Sequence, residues 1–281
     1  CLTAALFILV GCGAPKDSKP LVVPGKTAQT DIAKATAGQK NIALVMKTLT
    51  NPFFVEMERG ARRAEKELGV NLIVKTGAQE TSVDQQIAII DELIKRKVDA
   101  IVIAPASSID LIPVLKKAQD AGISLINIDN RLDRDVAKKV GLLDIPFIGV
   151  DNEKGAYLAA QVISERLTSA ADVLVIEGIR TAKNAQDRSN GTLRALKEKP
   201  NIRVVAVDTA NWKIDEAYEV TKRRFAQNPS LAAVVCGNDM MALGALRYLR
   251  ESNRNDVFVA GFDALEEARK AVNEGRMLVT V

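Results

Sequence analysis

Ile42-Ala43-Leu44-Val45-Met46 is an unbroken apolar run, and Asn51-Pro52-Phe53-Phe54 follows it at the start of a helical pattern. The apolar run is typical of a strand that is buried on both faces of a parallel sheet. Ligand crevices in open α/β sheets lie beyond the carboxyl ends of such strands, and proline is tolerated in the first turn of the next helix. The stretch therefore predicts an α/β fold with Phe53 at a cleft, unless both rings simply pack beneath the helix.

Apolar runs alternate with amphipathic patterns along most of the chain, as they do in parallel βαβ units. In the first series we predict strands at 42–46, 71–75, 100–103 and 124–128, and helices at 53–68, 83–95 and 109–121. Gly69 and Gly122 stand where helix C-caps are expected. The charged, turn-rich residues 131–146 interrupt the alternation. A second series then has predicted strands at 173–177, 204–207, 233–236 and 257–261, and helices at 155–167, 185–197, 214–227, 240–251 and 265–274.

Two consecutive α/β series predict two Rossmann-like lobes with parallel sheets, joined by a hinge and separated by a cleft. We expect residues 39–147 to form the N-terminal lobe and 148–278 the C-terminal lobe. A single continuous sheet is the alternative. The apolar residues 279–281 are expected to begin a third hinge segment whose remainder is missing, and the absent initiator Met also suggests a fragment.

Composition restricts the chemistry that the chain can perform. The 281 residues are 47% hydrophobic and 26% charged, and no histidine is present. The absence of histidine excludes a Ser-His-Asp or Cys-His site and the commonest metal ligand. No P-loop, no Gly-x-Gly-x-x-Gly motif after a strand and no cysteine pair for metal occurs, so no cofactor is expected. The net charge of +4 is interspersed along the helices and does not indicate nucleic-acid binding.

The first residues resemble a targeting segment. Residues 2–10 are apolar but too few to span a bilayer, and residues 1–11 are interpreted as the remnant of a signal peptide. Leu9-Val10-Gly11-Cys12 resembles a bacterial lipobox, which predicts a lipidated Cys12; an ordinary signal peptide that carries a cysteine is the alternative. Residues 12–38 then form the lipidated end and a flexible tether. Cys236, in an apolar run, is expected to be a small buried hydrophobe.

Polar side chains follow successive predicted strands. Amides, carboxylates and guanidinium groups at such strand ends can exchange paired hydrogen bonds with vicinal hydroxyls, and aromatic rings can cover the C–H faces of a sugar. Any of the amides and carboxylates could instead cap a helix, and Lys47 could simply be solvated. The set consists of Lys47, Asn51, Phe53, Asp129, Asn130, Arg131, Trp212, Asn238, Asp239 and Asp263.

Several of these segments together resemble the ribose-binding-protein type of periplasmic substrate-binding protein. The resemblance runs from about Lys40 to Val281 and implies two lobes that close on a sugar and deliver it to an ABC permease. The motifs are Asn51-Pro52-Phe53-Phe54, Asn127-Ile128-Asp129-Asn130, Asp151-Asn152, Asn238-Asp239-Met240-Met241-Ala242-Leu243-Gly244-Ala245 and Gly261-Phe262-Asp263.

The resemblance also assigns sides of the sugar to individual residues. Asn51, Phe53, Phe54 and Asp129 would approach it from the first lobe. Those that would face it from the second lobe are Arg188, Trp212, Asn238 and Asp263.

Three positions depart from the ribose binders. Lys47 replaces a serine, Asn130 replaces an arginine that here follows as Arg131, and Trp212 replaces a phenylalanine. The ligand is therefore expected to be a pentose, a hexose or a derivative.

We expect an extracytoplasmic, monomeric sugar receptor, held to the membrane only through its lipid, whose closure an ABC permease detects. A receptor for chemotaxis or a sensor kinase would use the same ligand chemistry. The effector core of a lac-repressor-type regulator shares the architecture but would need a preceding helix-turn-helix. A glycoside hydrolase based on Asp129 and Asp263 is the weakest alternative, and we expect no enzymatic activity.

Overall fold

The computed structural model describes residues 38–281. The predicted signal-peptide remnant, Cys12 and all of the tether except Gly38 lie outside the described residues. Every helix within residues 38–281 is too short or too polar to cross a bilayer.

The N-terminal lobe is built around a five-stranded parallel sheet with strand order β2-β1-β3-β4-β5. Its central strands carry the apolar runs, and helices cover the sheet. Gly69 ends the first helix in the left-handed conformation, with φ of 65°, as the sequence predicted. The elements are β1 (Asn41–Met46), α1 (Pro52–Leu68), β2 (Asn71–Thr76), α2 (Val83–Lys95), β3 (Ala100–Ile103), α3 (Ile112–Asp120), β4 (Ser124–Ile128), α4 (Arg134–Lys139) and β5 (Phe147–Ile148).

The C-terminal lobe contains a separate four-stranded parallel sheet. Its elements are α5 (Asn152–Arg166), β6 (Ala171–Glu177), α6 (Lys183–Lys197), β7 (Ile202–Thr209), α7 (Ile214–Gln227), β8 (Leu231–Cys236), α8 (Asp239–Glu251), β9 (Phe258–Ala260) and α9 (Glu266–Asn273). The strand order is β7-β6-β8-β9, and residues 149–151 link β5 to α5. Helix α6 lies so close to α5 that a Cβ on Gly191 would collide with the carbonyl of Glu153.

Two separate sheets confirm the predicted two-lobe α/β architecture, and the single continuous sheet is wrong. The bounds of β3, β4, α2 and α7 agree with the sequence prediction. Helix α4 was not predicted, because its six residues are mostly charged and polar; Asp133 caps it by accepting a hydrogen bond from Val136 N at 2.9 Å. The apolar run at the end pairs with the second sheet through a parallel bridge between Ala260 and Val279.

The cores of the two lobes extend to the carboxyl ends of their strands. Phe54 is buried against Leu44, Met46 and Ala104 in the first lobe, and Phe53 packs both there and against the core of the second lobe. Cys236 is free and buried, as predicted, and burial raises the pKa of its thiol. The packing therefore places the aromatic pair that follows β1 between the two lobes.

Candidate functional site

A small cavity lies between the lobes, where the carboxyl ends of both sheets face each other. About 20 Å³ of it can be reached by a water-sized molecule, so the side chains of the two lobes nearly meet. The first lobe contributes Lys47, Asn51, Phe53, Phe54, Glu80 and Asp129, and the second contributes Asn184, Arg188, Trp212, Asn238 and Asp263. Nine of these eleven residues were predicted from the sequence.

A buried charge cluster forms the first lobe's wall. Lys47 Nζ lies 2.9 Å from Asp129 Oδ2 and 4.0 Å from Glu80 Oε2, and all three side chains are at least 93% buried. Burial disfavours the ammonium, but the carboxylates of Asp129 and Glu80 outweigh it and raise the pKa of Lys47. Burial raises the pKa of Glu80 more than Lys47 and Asn51 lower it. Lys47 is thus a buried side chain that stays charged, with two carboxylates beside it.

Backbone geometry places the members of this wall. Asp129 follows β4 in the left-handed conformation, with φ of 61°, and its N–H donates to Ile148 O of β5 at 3.2 Å. Asn51 caps α1, because its Oδ1 accepts from Phe53 N at 3.1 Å, and its Nδ2 donates to Glu80 Oε1 at 2.9 Å. Asn51 is therefore both a helix cap and part of the cavity wall, so the two interpretations of the sequence are compatible.

A guanidinium group organises the second lobe's wall. Arg188 donates from Nε to Asn152 Oδ1 at 2.8 Å, and from Nη1 to Gly237 O at 2.8 Å and to Asp263 Oδ1 at 3.0 Å. Its guanidinium carbon lies 3.6 Å from the ring centroid of Phe262. Burial raises the pKa of Asp263 to about 7 despite the neighbouring Arg188. The guanidinium is held in one orientation by hydrogen bonds and by stacking.

Trp212 completes this wall from the loop after β7. Asn211 and Trp212 both have positive φ, 48° and 67°, which turns the indole back over the ends of β6 and β8. A Cβ on Gly178 would collide with the indole ring, so the close approach requires glycine there. Asn238 caps α8 by accepting from Met241 N at 2.9 Å while it lines the cavity.

Three buried side-chain polar atoms within residues 38–281 have no hydrogen-bond partner: Asp129 Oδ2, Asn184 Oδ1 and Trp212 Nε1. Asp129 Oδ2 is close to Lys47, but the pair is an ion contact without hydrogen-bond alignment. Unpaired buried polar atoms are costly and uncommon. All three belong to residues that line the same cavity, which provides two acceptors and one donor for a polar ligand.

Two predicted residues lie elsewhere. Asn130 is fully buried behind the cavity wall, where it donates to Pro105 O at 3.0 Å, and it is absent from the lining. Arg131 turns away, with its guanidinium carbon 3.8 Å from the centroid of the Phe147 ring. They are the next two residues after Asp129, whose left-handed conformation redirects the chain, and of the three only Asp129 lines the cavity.

Sequence reasoning missed Glu80 and Asn184. Glu80 lies in the loop after β2, and Asn184 lies in the first turn of α6, one turn before Arg188. The available signal was the same one that identified the other residues, a polar side chain just beyond the carboxyl end of a strand.

Comparison with known proteins supports this architecture. The sequence pattern of the family described as periplasmic binding protein domain matches residues 42–281. A D-ribose/D-allose-binding protein from Pseudomonas aeruginosa is 41% identical over 250 residues, which cover 87% of this chain and 77% of that protein.

Two solved structures are similar in fold and sequence. An ABC transporter solute-binding protein from Burkholderia multivorans has a TM-score of 0.84 and 41% identity, with 87% of each chain covered. A periplasmic solute-binding protein of an ABC transporter from Actinobacillus succinogenes, with bound D-allose, has a TM-score of 0.80 and 37% identity, covering 85% of this chain and 84% of that one. The chain therefore belongs to the periplasmic binding protein family, and within it to the ribose-binding type of sugar-binding protein of ABC transporters.

Proposed function

We propose that this protein captures an aldose of the D-allose or D-ribose kind by closure of its two lobes and delivers it to an ABC permease. One observation carries the proposal: the three buried polar atoms without a hydrogen bond, Asp129 Oδ2, Asn184 Oδ1 and Trp212 Nε1, all belong to residues of one interlobe cavity. A polyhydroxylated ligand can satisfy acceptors and donors from both lobes at once. Such a ligand stabilises the closed arrangement because its contacts are complete only there.

The walls suit the two kinds of surface that a sugar ring presents. Phe53 and Phe54 meet edge to face, with ring centroids 5.2 Å apart, and Trp212 is the aromatic residue that the opposite lobe contributes to the cavity lining. Rings of this kind cover apolar C–H faces, while Lys47 and Arg188 supply charged donors for hydroxyl oxygens. Relatives named for D-ribose and D-allose support this choice of sugar.

Calorimetry with purified protein tests the ligand. We expect saturable binding of D-allose or D-ribose, and much weaker binding of D-glucose and D-galactose as stereochemical controls. The recovered sugar should be chemically unchanged, because the relatives are binding proteins and we expect no turnover. A panel of pentoses and hexoses without any binder would contradict the proposal.

We also propose that Cys12 carries the lipid that holds the protein outside the cytoplasmic membrane. The lipobox-like Leu9-Val10-Gly11-Cys12 supports this. Mass spectrometry of the mature N-terminus from native membranes should show an acylated cysteine, and the Cys12→Ser variant should be released or left unprocessed. An unmodified Cys12 would contradict the anchor and leave the sugar proposal intact.

The permease partner and the monomeric state complete the proposal. Uptake of labelled sugar into vesicles that contain the cognate permease should depend on this protein. Normal uptake without it, together with loss of chemotaxis towards the sugar, would favour the sensory receptor instead.

A further inference from the structure

Helix α6 begins without a side-chain cap of its own. Its N-cap residue is Ala182, which has no acceptor, although the first N–H groups of a helix lack intrahelical partners. The first two N–H groups donate to acceptors in the other lobe. Lys183 N donates to Ser108 Oγ at 2.9 Å, and Asn184 N donates to Asn130 Oδ1 at 3.2 Å.

The two acceptors are also held by hydrogen bonds within their own lobe. Ser108 Oγ donates to Asn130 Oδ1 at 3.2 Å, and Asn130 Nδ2 donates to Pro105 O at 3.0 Å. Asn127 Nδ2 donates to Asn130 O at 2.8 Å and holds the backbone at that point. Because these bonds lie within the first lobe, the two acceptors should lose little conformational entropy when they bond to α6.

We propose that Ser108 and Asn130 form a cross-lobe cap, so that closure of the lobes and completion of the N-terminus of α6 are the same event. When the lobes separate, the N–H groups of Lys183 and Asn184 lose these acceptors and turn to water. A third contact, from Ser108 N to Thr181 O at 3.4 Å, breaks at the same time. The cap therefore favours the closed arrangement from a point outside the cavity.

The same helix carries part of the proposed binding site. Asn184 and Arg188 lie one turn apart on α6 and both line the cavity. Because Asn130 bonds to the backbone of Asn184, it fixes the residue whose side-chain Oδ1 is unpaired. Ser108 and Asn130 are thus positioning residues; this half of the inference rests on the proposed sugar binding.

Ser108→Ala removes one acceptor of the cap, and Ser107→Ala is the matched control. Ser107 is equally buried, but its Oγ accepts only from Ile109 N and Asp110 N of its own lobe. We expect Ser108→Ala to weaken sugar binding about 5-fold, the effect of one lost cap. The change should appear mainly as faster dissociation in stopped-flow fluorescence, because the cap forms as the lobes close.

The Ala182→Ser variant distinguishes a cap that is coupled to lobe closure from one that only stabilises the fold. A serine at the N-cap gives α6 its own acceptor, so the open arrangement no longer lacks a cap. We expect the melting temperature to stay the same or rise while sugar binding weakens. If the cap only stabilised the fold, the melting temperature and the sugar affinity would change in the same direction.

Amide hydrogen exchange, measured with and without sugar, follows the cap directly, because the amides of Lys183 and Asn184 are protected by it only in molecules whose lobes are closed. Exchange at Lys183 and Asn184 should accelerate in Ser108→Ala and stay at the wild-type rate in Ser107→Ala. If wild type binds no sugar, the proposed function fails while this comparison still judges the cap. Equal exchange and equal dissociation rates in the two serine variants would overturn the cross-lobe cap.

Discussion

Each wall of the cavity contains a buried cation beside a carboxylate, but the two cations are held in different ways. In the first lobe Lys47 lies beside two carboxylates, and Asp129 Oδ2 has no aligned hydrogen bond. In the second lobe Arg188 donates three hydrogen bonds and stacks on Phe262. A group whose donors are already directed is preorganised, whereas an ammonium without hydrogen-bond alignment can still direct its donors to a ligand hydroxyl. The second wall is therefore a rigid template, and the first wall adapts to the ligand.

Removing the template should have the largest effect. Arg188→Ala leaves the buried carboxyl of Asp263 without its cation and empties the space above Phe262. We expect a loss of about 3 kcal/mol in the free energy of unfolding, as for other broken buried pairs. Sugar affinity should fall more than about 100-fold, because a charged donor and the shape of the wall are lost together. Thermal melts and calorimetry measure the two effects.

Arg203→Ala is the control for this prediction. Arg203 pairs with Asp172 in the same lobe, but its side chain is 75% exposed. Exposed pairs contribute little, so stability and affinity should stay near the wild-type values. Equal effects of the two arginine variants would show that the wall is not a template.

The adaptable wall should respond less strongly. Lys47→Met removes the cation between Glu80 and Asp129. We expect sugar affinity to fall about 10- to 100-fold, the range for one lost hydrogen bond from a charged group. Lys75→Met, at the exposed Lys75 and Glu92 pair of the same lobe, should bind normally. Unchanged calorimetric affinity in Lys47→Met would mean that the ammonium never contacts the sugar.

Trp212 tests a neutral donor on the rigid wall. Trp212→Phe keeps an aromatic ring but removes the unpaired Nε1–H. Affinity measured by calorimetry should fall about 5- to 10-fold, the value of one neutral hydrogen bond. An affinity equal to wild type would assign the ring to packing alone.

The last test follows stability instead of affinity and is a pH trend at Asp263. Burial raises the pKa of its carboxyl to about 7 from the usual 3.8, so the folded state holds the proton more tightly than the unfolded state. This contribution to stability is full below about pH 4 and is lost as pH rises through about 7. The melting temperature of wild type minus that of Asp263→Asn should thus fall over this interval, by about 2–4 °C for each 1 kcal/mol.

Asp172 provides the opposite trend as a control. Arg203 and then Asn228 lower the pKa of Asp172 through hydrogen bonds, so its stabilising contribution exists above the ordinary pKa and is lost on acidification. The advantage of wild type over Asp172→Asn should grow as pH rises through the acidic range. A trend of the same sign at both positions would contradict the assignment of burial as the cause at Asp263.

How well the sequence predicts an element depends on how far apart in the chain the residues that define it lie. Strands β3 and β4 were predicted to the residue because a buried parallel strand needs only a short apolar run between turns. Helix α3 starts at Ile112 and not at Ile109, because residues 109–111 form turns before the regular helix. Local patterns define an element well and its ends less well.

Most of the residues that line the cavity were predicted because they follow a strand closely, whereas Arg188 was predicted only through the family resemblance. Glu80 also follows a strand, but its place in the cavity wall depends on Asn51 and Lys47, which are 29 and 33 residues away in the chain. Asn130 looked like a cavity residue because it follows Asp129, but its partners are Pro105 and the backbone of Asn184.

The alternation of apolar runs and amphipathic helices by itself predicted two α/β series with polar residues at the ends of their strands, because burial imposes its period on the sequence, and it left a single continuous sheet as the alternative. Only the tertiary structure decided that Asn130 and Ser108 cap α6 across the cleft. Those bonds join residues 54 and 75 positions apart, and no local pattern records which buried acceptor will meet an uncapped helix. The anchor proposed at Cys12 still rests on the sequence by itself.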